Sequence, residues 1–194
     1  MNAGRRTSTL ALALPAVLFC PRECSADPLT LRAPIPGRVV SATFGTPELS
    51  AGAWLSERYG FAIEWHLPAS AVGGSIATRR TLVGERMGWG VDLTLAGGLT
   101  VPLISLAGAV SFTPALVGRW RNDYVAVAAS VVSPMVLRVV PDPALRLPLL
   151  LEVWFAGHYR SLSLGLQGSV GSVFVTGLSW AYAIQASGFV GWDL

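Results

Sequence analysis

Two histidines, His66 and His158, are the only imidazoles in a chain of 194 residues. Glu64 stands two residues before His66, and Ser161 and Ser163 follow His158 closely. A serine beside a histidine that a carboxylate orients is the arrangement for acyl transfer and hydrolysis. The spacing here gives weak support to that chemistry, because the second residue after His158 is Arg160 rather than a serine. A second reading accounts for more residues. Glu64, His66, Asp92, Arg146, Glu152, His158, Gln167 and Gln185 all fall on one parity of alternating segments. Residues of one parity share one face of a strand. They are read as a polar network on the inner face of a closed sheet, where buried charges need partners. On that reading no residue is catalytic and none binds a cofactor or a metal. No phosphate loop, dinucleotide fingerprint or nucleophile elbow occurs.

The elements that position these residues show themselves by a period of two. In 61–67, Phe61, Ile63, Trp65 and Leu67 share one face while Ala62, Glu64 and His66 share the other. Trp89, Val91, Leu93 and Leu95 oppose Gly88, Gly90, Asp92, Thr94 and Ala96. The same alternation runs through 104–116, 124–131, 146–158, 160–171 and the last segment to Trp192, with Met135–Val140 as an extension or a rim. The face opposite the large apolar residues is Ala, Gly and Ser rather than charge. A soluble sheet turns charge to water, whereas a membrane barrel turns its apolar face to lipid and a small polar face inward.

Composition agrees. The chain is 52% hydrophobic and 13% charged, against about 25% charged for a typical globular chain. Every one of the 14 basic residues is arginine, and the net charge of +3 with no cluster beyond Arg79-Arg80 excludes a nucleic-acid footprint. No apolar run is long enough for a membrane-spanning helix. Met1–Ala26 reads as a signal peptide: Arg5-Arg6, the apolar stretch Leu10–Phe19, and Cys24-Ser25-Ala26 as the cleavage site. Both cysteines, Cys20 and Cys24, lie in that segment, so the mature chain carries no thiol chemistry. Residues 27–37, with three prolines, are an extended lead-in, and 38–194 form the barrel domain.

Eight strands are expected from about residue 51 onward. Val39–Phe44 would add a ninth and Ser75–Val83 a tenth, and eight is preferred. Pro68–Arg86 then becomes the longest connection and the best candidate for contact with a partner. Residues 46–60 read as a hairpin turning at Ser56–Gly60, in preference to a helix opened by Thr46-Pro47. Arg119–Asp123 reads as a charged turn. Trp65, Trp89, Trp120, Tyr124, Trp180, Tyr182 and Trp192 are candidates for aromatic girdles at the membrane surfaces.

With its signal-like Met1–Ala26, its alternating strands and its terminal Gly188-Phe189-Val190-Gly191-Trp192-Asp193-Leu194, the chain resembles the small outer-membrane β-barrels of Gram-negative bacteria, of the OmpA-transmembrane-domain or OmpX-like type. The resemblance implies an all-β, closed, antiparallel up-and-down barrel in the outer membrane. Its implied partners are outer-membrane lipids and the barrel-assembly machinery, which reads a terminal aromatic, here Trp192 followed by Asp193 and Leu194. Some similar barrels are lipid A deacylases or acyltransferases, so a lipid-modifying hydrolase is one alternative function. Another is a soluble lipocalin-like barrel for an apolar ligand, which needs the inverse pattern, apolar inside and polar outside.

Overall fold

A computed structural model describes residues 39–45, 48–66, 71–85, 87–103, 108–139, 144–175 and 181–193. The expected signal peptide and lead-in, together with Trp180 and Leu194, lie outside them. Eleven strands run β1 (Val39–Gly45), β2 (Glu48–Trp54), β3 (Tyr59–His66), β4 (Ala71–Gly84), β5 (Gly88–Pro102), β6 (Ala109–Arg121), β7 (Val125–Val132), β8 (Met135–Arg138), β9 (Ala144–Tyr159), β10 (Leu162–Val175) and β11 (Ala181–Asp193). All pairs are antiparallel, and the sheet closes where β11 pairs with β1. Closure pairs the edges that an open sheet would expose.

The ring has ten positions, not the preferred eight. β7 and β8 share one position between β6 and β9, in a single register: Val132 lies opposite Ala115 and Met135 opposite Phe112. The two added strands are β1 and β4. β4 occupies most of the stretch Pro68–Arg86 read as a connection, so Ala71–Gly84 is wall rather than loop. Its inward Ala71, Gly73, Ser75 and Ala77 alternate with outward Val72, Gly74, Ile76 and Thr78. The Gly73-Gly74 pair and the polar run Thr78–Thr81 hide that period. Arg119 and Arg121 also belong to a strand, the end of β6, and the turn is confined to 122–124.

The turns at the end of the barrel that holds both chain ends are tight. Leu55 N donates to Tyr59 O at 2.9 Å, and Ser56 Oγ accepts from the N–H groups of Arg58 and Tyr59, which makes the hairpin in 46–60. Asn122 Oδ1 accepts from Tyr124 N and Val125 N, both at 2.8 Å, the local capping that favours Asn in turns. Arg160, with φ 54°, opens the two-residue turn between β9 and β10, in the sense that matches strand twist.

The register fixes the barrel's shape. Asp193 of β11 faces Val39, and that row passes through Trp54, Gly60, Ala77, Ala96 and Thr113. It then crosses Pro134 to Pro148 and Val173, and regains β11 at Ala181, twelve residues from its start. Such a shear around ten positions tilts the strands by about 40°.

Wall height is uneven. β1, β2 and β3 have 7, 7 and 8 residues, whereas β5 has 15 and β9 has 16. Besides the register shift at Thr81/Val83, the ladder is interrupted between β7 and β8. Ser133 N donates to Pro114 O at 3.1 Å, so the backbone of residue 134 points to β9, where the register sets it against Pro148. Both are prolines, and neither has an N–H to give. Ser133 Oγ donates to Pro148 O at 2.7 Å and satisfies the carbonyl that this pairing leaves.

Candidate functional site

The chemistry-bearing side chains converge on the lumen. Every expected network residue whose side chain is described takes the inward parity, and five of them make pairwise hydrogen bonds to small neighbours on adjacent strands. Ser75 donates to Glu64 Oε1 at 2.8 Å. Ser187 donates to Gln167 Oε1 at 2.9 Å, and Ser169 to Gln185 Oε1 at 3.4 Å. Ser130 Oγ and Trp154 Nε1 both donate to Glu152 Oε2 at 3.4 Å. His158 Nδ1 and Ser163 Oγ share a hydrogen bond of 2.8 Å. Arg146 is half-buried on β9, opposite Val136 and Val175. His66 lies in β3, opposite Glu48 and Ala71, with its side chain outside the described residues. Glu64 and Glu152 stand on opposite sides of the ring, each bonded to a serine on an adjacent strand.

The lumen's strongest contact involves a residue the sequence reading put in a turn. Arg119 Nε donates to Asp92 Oδ2 at 2.6 Å and Nη2 to Asp92 Oδ1 at 3.3 Å. Thr81 donates to the same Oδ1 at 2.8 Å, and Arg119 Nη2 reaches Glu85 O at 3.0 Å. Both ionic side chains are almost fully buried, which a charge tolerates only when paired and hydrogen-bonded. Gly90 makes room, because a Cβ there would lie 2.8 Å from the guanidinium carbon. The Arg79 guanidinium lies 4.2 Å from the Trp54 ring centroid, within cation–π range. These residues occupy the end of the lumen that carries the tight turns.

Just inside them a pair of aromatic rings packs against the inner face of the wall. Trp154 and Phe189 are fully buried, with ring centroids 5.6 Å apart and planes inclined at 57°. Such tilted pairs suit the ring quadrupoles. The seat for Phe189 is Gly165, directly opposite it on β10: a Cβ there would lie 2.2 Å from the ring. Ala115, Val117, Ala126, Ala128, Val132 and Ala156 pack around the two rings. On the β2–β6 side the far half of the lumen is lined instead mostly by small residues, among them Ser50, Gly73, Ser75, Gly98, Ser111 and Thr113.

For nucleophilic chemistry the geometry offers, among the described residues, one Ser–His contact, Ser163 with His158. Ser163 is 1% exposed, and the backbone around it is committed to the β9–β10 and β10–β11 ladders. A hydrolase also needs an oxyanion site and an approach for substrate at the nucleophile. The contact serves to pin the β9–β10 turn.

The outer surface is the complement of the lumen. Ile76, Leu166, Ile184, Ile63, Leu151 and Val153 are among many large apolar side chains left exposed. Along the described strands the outward positions carry one charged side chain, Arg80, near the tight-turn end of β4. Exposed Glu57, Arg58, Glu85, Asp123 and Arg160 lie in or beside the turns at that same end. A belt of aromatics marks this end. Trp89 faces Trp120 across β5 and β6, Trp192 and Tyr159 both face Leu162, and Tyr59 and Tyr124 border turns. Trp65, Phe112 and Tyr182 are exposed towards the opposite end. No family model matches the chain, and neither a curated protein nor a solved structure does.

Proposed function

We propose that this protein is an integral outer-membrane β-barrel with a structural or envelope-interaction role, its lumen filled rather than open. The observation that carries the reading is the outward face: exposed Leu, Ile, Val and aromatic side chains, with Arg80 the one charged residue among the described outward strand positions. In water such a surface is an aggregation hazard, and in a bilayer it is the required one. The lone Arg80 sits near a rim, where its stem can lie along apolar surface while its head reaches water. Belts of Trp and Tyr at strand ends favour the same reading.

A soluble carrier of an apolar ligand is disfavoured, because it needs large apolar side chains inside and polar ones outside. Against a pore count the buried Trp154–Phe189 pair and the Arg119–Asp92 ion pair, bulky side chains on the inner face at one end of the barrel. Gel mobility of the detergent-extracted envelope fraction, boiled against unboiled, tests the proposal. A heat-dependent shift with the protein in the outer membrane is the expected result. A protein that stays in solution at high concentration without detergent would sink it.

A further inference from the structure

The lipid-facing wall has a low side whose height chain connectivity leaves no freedom to raise. Residues 46–47 alone join β1 to β2, and residues 55–58 alone join β2 to β3. β2 therefore ends at Glu48 above and Trp54 below. Seven residues tilted by about 40° rise roughly 18 Å. By the same arithmetic, the 15 residues of β5 and the 16 of β9 rise nearly 40 Å. The apolar band of an outer-membrane barrel is about 25 Å tall, so the tall wall spans it with residues to spare and β1–β3 fall short. The outward residues of the low side are Val40, Leu49, Ala51, Phe61, Ile63 and Trp65. These positions are apolar, and on the tight-turn side the flank ends at Tyr59 and the exposed Glu57 and Arg58 of the β2–β3 turn.

We propose that the β1–β3 flank is a membrane-thinning surface, whose partner is the bilayer itself and which favours short or loosely packed acyl chains. The proposal rests on the outer-membrane reading above. A wall shorter than the hydrocarbon is accommodated by thinning the bilayer beside it or by association with another protein. Area decides between these. Three strands about 18 Å tall present roughly 300 Å², well under the roughly 800 Å² per partner of a standard stable interface. Lipid is the occupant the flank fits.

Two residues at matching height make the test. The register and tilt place Trp65 on the flank and Phe112 on β6 at nearly the same level along the barrel axis, and both are exposed. In the full chain with Cys20→Ser and Cys24→Ser, Trp65→Cys and Phe112→Cys would each carry a nitroxide. Immersion depth would be read from oxygen against nickel-chelate collisions in fluid phosphatidylcholine vesicles with 16-carbon chains. The expected result is a Trp65 site shallower than the Phe112 site by about 5 Å or more, since the bilayer surface follows the lower wall edge. Equal depths would overturn thinning while a retained heat shift left the barrel reading intact. Loss of the heat shift in the unmodified chain would instead remove the outer-membrane reading itself. A label-free comparison decides the matter separately. Two residues inserted after Gly45 and two before Glu48 lengthen the β1–β2 hairpin while keeping its parity. The slowing of folding between 12-carbon and 18-carbon vesicles should then be at least threefold smaller than in the unmodified chain, and equal slowing in both overturns the proposal.

Discussion

The two halves of the lumen solve one packing problem differently. At the tight-turn end, large side chains meet glycines: Arg119 lies over Gly90 and Phe189 over Gly165, with Trp154 and Trp54 beside them. At the far end the β2–β6 lining is mostly small and its contacts are single hydrogen bonds such as Ser75 to Glu64, with Leu150 over Gly171 the one close large-over-glycine contact among the described residues there. The first half depends on shape complementarity between facing strands and tolerates few changes. The second resembles a lining, in which each residue matters chiefly to its neighbour. Rigidity and closure are therefore concentrated at one end of the barrel, beneath the turns and beside both chain ends.

Mutations can break or sharpen that contrast. The largest loss is expected from Arg119→Ala, which leaves Asp92 buried without its guanidinium and should cost about 3–5 kcal/mol, read as a lowered urea midpoint in detergent. Trp154→Ala should follow closely, at about 3–4 kcal/mol, and should raise ion leakage across vesicles more than any single change in the far half. If the far-half variants leak equally, the aromatic pair is not where closure resides. Gly165→Ala should cost about 1–3 kcal/mol by overpacking. That cost should shrink markedly when Phe189→Ala is also present, a coupling that a double-mutant cycle measures. Ser75→Ala in the far half should be mildest, about 1 kcal/mol for one hydrogen bond. A far-half loss as large as that of Trp154→Ala would erase the distinction.

Much of this was legible in the sequence. The period of two placed Glu64, Asp92, Glu152, His158, Gln167 and Gln185 on the inner parity, because in a strand parity alone decides the face. The closed barrel followed from the same alternation. What parity does not carry is which residue lies opposite which. Phe189 sits among Gly188, Gly191 and small neighbours, and only the β10–β11 register brings it over Gly165. Arg119 lies beside Arg121, Asn122 and Asp123, a polar run that reads as a turn until the β5–β6 and β4–β5 pairings set Arg119 within reach of Asp92 and Glu85. β4 stood in the sequence only as the alternative tenth strand Ser75–Val83, for a related reason. Its outward parity holds Gly74, Thr78 and Arg80, and a weak apolar face gives a weak alternation.

The facing prolines at 134 and 148 bear on the continuity of the wall. A hairpin zips from its turn, each new pair gaining hydrogen bonds for the residues it fixes. The pairing of β8 with β9 runs from Arg138 with Ala144 to Val136 with Arg146. The next step, Pro134 against Pro148, offers no ladder bond at all. The β9–β10 hairpin meets no such gap between Tyr159–Leu162 and Arg146–Val175, and β10–β11 runs unbroken from Leu162 to Val173. The wall is thus continuous in hydrogen bonds through β9, β10 and β11, and the β7–β8 strand is joined to it across a gap where Ser133 makes the stitch that the prolines cannot.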